Sequence, residues 1–162
     1  MLEFGDAVRR FYGNYLNADG RAQRSAYWWV QLYQTIIMSV LGIVILMADG
    51  GANLLESLLK LSTLEEFTVL WSDLGASGKA AAWLALIFSL VNFLPGIMLA
   101  IRRFHDLDFS GWLVMVFFIA GNIPPIGPFA SLANFIWFIF PGTNGPNKYG
   151  QDPLNPHTDS FG

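Results

Sequence analysis

Two long runs without a single charged side chain, residues 27–47 and 80–101, constrain this chain more than any other feature. At 1.5 Å of rise per residue they give helices of about 31 and 33 Å. That matches a bilayer hydrocarbon core of about 30 Å. Backbone polar groups in lipid must be satisfied within the segment, so a lone apolar run of this length crosses as a helix. The bulk numbers agree. Hydrophobic residues make up 54% of the 162-residue chain and charged residues only 13%, against about 25% charged in ordinary soluble domains. A soluble protein of this size keeps too much of its chain near the surface to hide that apolar excess.

The remaining segments fall around these two spans. Phe4, Ala7, Val8, Phe11, Tyr12, Tyr15 and Leu16 recur at helical spacing, with Asp6, Arg9 and Arg10 between them. This predicts an interfacial amphipathic helix over 1–19 with its aromatics dipped into the membrane, stopped by Asn17 to Gly20. Tyr27, Trp28 and Trp29 form an aromatic belt at the start of the first span, 27–47. Gln31, Thr35, Met38 and Gly42 draw a weakly polar stripe along it, of the kind that lines helix contacts in lipid. Residues 48–79 form an outward-facing amphipathic connection. Asn53 with Glu56, and Thr63 with Glu66, have capping-box spacing and predict two short helices. In the second span, 80–101, Asn92 reads as an amide bonded to a neighbouring helix, and Pro95 predicts a kink.

Residues 111–140 are apolar but carry three prolines between Asn122 and Pro128. One uninterrupted helix is incompatible with them. The expectation is a helical hairpin over 111–123 and 127–140, either as two tilted spans or as a re-entrant pair. A polar tail over 141–162 follows, rich in Gly, Pro and Asn. The fold class is therefore an all-α integral membrane protein and one membrane domain over 1–162. It comprises an N-terminal interfacial amphipathic helix, two full transmembrane helices and a Pro-broken C-terminal helical hairpin, about four membrane helices in all.

Charge placement orients the chain. Arg9, Arg10, Arg21, Arg24, Arg102 and Arg103 flank one end of the spans, while the 48–79 connection carries five acidic residues against Lys60 and Lys79. By the positive-inside bias, the N-terminus, the 102–110 loop and the tail should be cytoplasmic. A secretory signal is not expected, because polar and amphipathic residues precede a first run that is too long for one.

Three segments concentrate the polar chemistry: Gly20-Arg21-Ala-Gln-Arg24-Ser-Ala-Tyr27-Trp28, Arg102-Arg103-Phe104-His105-Asp106 running on to Ser110-Gly111-Trp112, and Pro141-Gly-Thr143-Asn144-Gly145-Pro-Asn147-Lys148-Tyr149-Gly150-Gln-Asp152-Pro153. In these three the chain resembles the small bacterial inner-membrane family known as domain of unknown function 805, of the YhaH type. The family pattern opens the first span with G-R-x-x-R-x-E-Y-W, continues with R-R-L-H-D…S-G-W, and closes with P-G-T-x-G-x-N-K-Y-G-x-D-P. The resemblance runs from about Phe11 to Pro153. Here Ala26 stands where the family has an acidic residue, and Leu107-Asp108-Phe109 where it has a glycine and a basic residue. The resemblance implies a bacterial inner-membrane location and implies no activity.

Read chemically, Arg21, Arg24, Arg102 and Arg103 form a cationic rim at headgroup level. Guanidinium forks suit phosphate, so anionic lipid headgroups are the expected ligand; the alternative is that the arginines only set topology and snorkel. His105 and Asp106 are adjacent and so do not face each other on a helix. Asp106 is expected to pair with an arginine and His105 to bond backbone or headgroup. With His157 the only other histidine and no cysteine, no metal site and no cofactor are expected. Asn147, Lys148 and Tyr149 belong to a turn docked on the arginine segment as a lipid- or partner-binding surface, with Asp152 a candidate arginine partner. The leading function is a non-enzymatic accessory or structural subunit, or a lipid-associated scaffold of a larger membrane complex, with no nucleic acid involved. A small transporter or channel would need Gln31, Asn92 and Asn134 along a polar path. A lipid-headgroup enzyme would need His105 and Asp106 as acid and base.

Overall fold

A computed structural model describes residues 2–48 and 63–155. All six helices among the described residues follow the expected order. They are α1 (Phe4–Gly13), α2 (Arg24–Met47), α3 (Leu64–Asp73), α4 (Ala76–Asp106), α5 (Leu113–Gly121) and α6 (Ile126–Ile139). Both α2 and α4 are long and apolar enough to cross a bilayer, and only 6% of the apolar window of α2 is buried within the protein. Side chains such as Ile36, Val40, Ile43, Leu84, Ile87 and Leu90 point outward. Water would not tolerate such faces; lipid does, and the fold is an all-helical membrane fold.

The chain divides into two compact units: residues up to Leu32 together with those from Phe93 onward, and residues 33–92. The second unit holds the connection. There the predicted capping box at Thr63 is present. Thr63 Oγ1 accepts from the Glu66 N–H, and Glu66 Oε2 accepts in return from the Thr63 N–H. Trp71 packs edge-on against Trp83, and Tyr33 against Phe88. The other predicted cap, Asn53 with Glu56, lies outside the described residues. The Asn92 amide donates to the Phe88 carbonyl one turn back.

The first unit holds the three polar segments. Its core joins Phe11 of α1, Ala22, Val30 of α2 and Leu99 of α4, with Tyr12 and Tyr27 packed against it. The N-terminal helix is thus shorter than the expected 1–19, ending at Gly13, and Phe11 inserts into protein rather than lipid. Asn14 closes it by donating both its backbone N–H and its side-chain amide to the Arg10 carbonyl.

Both spans exceed their expected bounds. The first begins at Arg24 and the second runs from Ala76 to Asp106, unbroken through Pro95. Residues 102–106 are consequently not loop but the last turn of α4. The helix stops in a Schellman arrangement: the Phe109 N–H reaches the Phe104 carbonyl, and the Asp108 N–H the His105 carbonyl. That motif needs a left-handed residue, normally glycine. Asp108 occupies it at φ 60°. Aspartate is among the few residues that visit this region routinely.

The hairpin is present as α5 and α6. At 1.5 Å per residue they measure about 14 and 21 Å, so neither matches the hydrocarbon core. Their close approach requires Gly127, where a Cβ would run into the Gly121 carbonyl. Because the chain comes back, the C-terminal end of α6 lies where α2 begins and α4 ends.

Candidate functional site

The end of α6 presents carbonyls that no further helical turn can satisfy. Three side chains from the other two polar segments supply the donors. Arg103 donates to Phe140 and, at 3.4 Å, to Phe138. The Trp28 indole also donates to Phe138, at 3.2 Å, and Arg24 donates to Ile139 at 3.2 Å. The partial negative charge at this helix terminus favours the two guanidiniums. Trp28, read from sequence as part of an interfacial aromatic belt, spends its N–H on a protein carbonyl.

Asp106 stands at the centre. Its Oδ1 accepts from Arg21 at 3.0 Å, and its Oδ2 from Arg103. The three side chains are nearly sealed from solvent, at 1%, 0% and 4% exposure for Arg21, Arg103 and Asp106. One carboxylate between two guanidiniums leaves a surplus positive charge, and carbonyl oxygens answer it. Arg21 donates to Thr143 and to Gly145, each at 2.6 Å. The backbone of Asp106 joins in, its carbonyl accepting from the Thr143 N–H and hydroxyl at 2.8 and 3.2 Å. Gly142 sits against the same carboxylate so closely that a Cβ there would overlap it. The Pro-Gly-Thr sequence is thereby explained sterically.

The rest of the tail is laid on this anchor. Asn147 donates to the His105 carbonyl at 2.9 Å and to Thr143 Oγ1 at 3.0 Å. It also pairs with Gly150 through backbone bonds in both directions. Tyr149 stacks on the His105 ring, with centroids 3.8 Å apart and planes 4° from parallel. His105 donates from Nδ1 to the Gly20 carbonyl at 3.2 Å, a tautomer assigned by its partner. Lys148 remains exposed, 3.6 Å from Asp108 and 5.0 Å from the Tyr149 ring centroid. Gly145 takes φ 75°, which turns its carbonyl toward Arg21 at no steric cost.

The structure thus brings the three polar segments together but distributes the arginines unevenly. Arg21 and Arg103 are internal. Arg102 is also largely buried, with Nε 3.4 Å from the Met98 carbonyl and one terminal nitrogen without a partner. Its carbonyl accepts from the Ala22 N–H at 2.9 Å. Arg24 alone of the four is exposed. Asp152 makes backbone bonds in place of the expected arginine pair: Oδ1 accepts from the Leu154 N–H at 2.9 Å and Oδ2 from the Gly145 N–H at 3.1 Å. The Leu154 contact foremost, with Gly145 in support and burial opposing, holds this carboxyl below the usual carboxylate range. Beside the clasp lies a pocket of about 310 Å³ lined by Gln23, Arg24, Ser25, Asn144 and Asp152 among others. Gln23 was not singled out by sequence, since an amide between two arginines carries no spacing signal. No three His, Cys, Asp or Glu side chains converge on a metal position among the described residues.

Two predictions follow from the clasp. Asp106→Asn strands two buried guanidiniums without a counter-charge, a loss of about 3–5 kcal/mol for a buried pair. The unfolding midpoint in detergent should fall and the tail should become protease-sensitive; an unchanged midpoint refutes the central role of Asp106. Asp152 has a folded pKa below its unfolded one, so its stabilisation is fully present above that ordinary value, near 3.9. It is lost as pH falls through the lower folded value. Pepsin cleavage of residues 141–155 should therefore accelerate as pH drops below about 4, and Asp152→Asn should remove that step.

A family model described as "Protein of unknown function (DUF805)" matches residues 15–151. The inner membrane protein YhaI of Escherichia coli (strain K12) is 32% identical over 140 residues, covering 86% of this chain and 88% of that protein. The inner membrane protein YhaH of the same strain is 31% identical over 140 residues, covering 86% and 89%. No solved structure matches the chain. The match takes in the first two polar segments and the third as far as residue 151, and the chain belongs to the DUF805 family.

Proposed function

We propose that this chain is a non-enzymatic, multi-pass protein of the bacterial inner membrane, a lipid-associated scaffold or accessory subunit of a larger membrane complex. Its clasped end faces the cytoplasm. The observation that carries the reading is the engagement of the Asp106 carboxylate by Arg21 and Arg103. Each oxygen of Asp106 is held by a guanidinium, and the His105 ring is stacked on Tyr149 with Nδ1 committed to Gly20. A carboxylate and an imidazole so placed hold the tail; they are poorly placed as an acid–base pair. The names of the relatives place those proteins in the inner membrane, and the arginine distribution supports a cytoplasmic N-terminus. Of the cationic side chains expected to meet lipid headgroups, Arg24 and Lys148 remain available to a headgroup phosphate, because Arg21 and Arg103 are occupied internally. Arg24 reaches the headgroup level with one of its five N–H donors committed to Ile139,.

Gentle detergent extraction and native mass spectrometry should find phospholipid bound, with a second membrane protein co-purifying. Arg24→Gln should lower the bound lipid severalfold, and lipid-free protein would refute the reading. Cysteines placed at Lys148 and Glu65, both exposed, should label from opposite sides of intact cells. Labelling from one side would overturn the orientation.

A further inference from the structure

The first turn of α2 opens onto the pocket with more polar capacity than the chain itself uses. Arg24 projects from that turn, and Ser25 follows, its Oγ taking a 3.3 Å bond from the Leu2 N–H and keeping its hydroxyl proton to donate. Gln23, at 9% exposure, lines the same pocket. No hydrogen bond among the described residues engages its side-chain amide. The amide therefore keeps its donors and its acceptor for whatever enters the pocket,. The helix N-terminus adds its own N–H groups and favours an anion.

The opposite side of the pocket has the other sign. Arg21 and Asp106 also line it, but both are engaged in the clasp, whose surplus positive charge carbonyl oxygens answer. Of the charged residues that line the pocket, Arg24 and Asp152 stand outside that cluster, and the Asp152 oxygens each retain a lone pair after accepting from Gly145 and Leu154,. A purely anionic ligand would answer only the first. A second, apolar groove of about 300 Å³ along α2, lined by Ser25, Trp28, Trp29 and Leu32, shares Ser25 with the pocket. The pocket itself, about 310 Å³, lies at the small end of the range of roughly 300–1,000 Å³ for ligand sites.

We infer that this pocket holds the headgroup of a zwitterionic aminophospholipid: phosphate on Gln23, Arg24, Ser25 and the α2 terminus, ammonium on Asp152, one acyl chain in the Trp28–Trp29–Leu32 groove. The inference rests on the lipid-bound reading above and names the headgroup class. It commits to a lipid rather than a free phosphate because the groove shares Ser25 with the polar pocket.

The test varies the ligand and leaves the protein intact. The detergent-solubilised full chain is titrated, under native mass spectrometry, with three phospholipids of identical acyl chains bearing phosphoethanolamine, N-acetylated phosphoethanolamine or phosphoglycerol. Soluble glycerophosphoethanolamine forms a fourth arm. Phosphoethanolamine lipid should be retained about tenfold better than either other lipid, the worth of one charge-assisted contact. The soluble headgroup should compete weakly. Gln23→Leu should reduce retention of all three lipids. Should that variant unfold, Arg24→Gln at an exposed position serves the same purpose. Equal retention of the three lipids would overturn the zwitterionic assignment while leaving a lipid-bound protein. Strong competition by the soluble headgroup would overturn the groove. Retention of no lipid at all would remove the functional reading itself.

Discussion

Everything at the clasped end depends on one carboxylate being buried between two guanidiniums. Asp106 alone would not stay charged away from water, and neither Arg21 nor Arg103 could be buried without it. Together they remain short by one negative charge, and the deficit decides what else must come close. The answer is backbone. Thr143, Gly145 and Phe140 turn their carbonyls inward, which fixes the tail and the α6 terminus with respect to α2 and α4. Burying an ion pair is rarely a route to stability for its own sake. What it does here is place the tail, since carbonyls of Thr143, Gly145 and Phe140 are drawn to the two arginines.

This arrangement changes the meaning of the positive charges. Arginines beside a span normally read as orientation signals and lipid anchors. Two of the four at this end do internal work, and the indole of Trp28 does likewise. The three polar segments, far apart in sequence, are parts of one hydrogen-bonded unit. That unit lets a hairpin of two short helices end in a defined place. Of the four arginines, Arg24 is the one exposed, and the pocket beside it carries the spare amide of Gln23.

Much of this was legible in the residues. Charge-free length fixed the two spans, because lipid admits no unsatisfied backbone and few charges. The prolines marked the hairpin: Pro124 and Pro125 fall in the turn, and Pro128 falls in the first turn of α6, where a missing N–H is tolerated. The capping box at Thr63 was readable from its spacing, since the reciprocal bonds are local. The resemblance to the family rested on the same three segments that the structure joins, and the match of residues 15–151 bears it out.

What the sequence could not decide were the partners of its polar groups. Asp106 was expected to find an arginine, but nothing local shows that it takes two, or that one lies 85 residues away. Asp152 looked like an arginine partner and instead binds N–H groups within its own loop. The end of α4 read as a loop because its charged residues suggest solvent, yet helical geometry carries Arg103 and Asp106 onto one buried face. Periodicity, length and proline chemistry act within a few residues and are written in the chain. Which carbonyl meets which guanidinium depends on where a returning helix ends, and only the tertiary structure sets that.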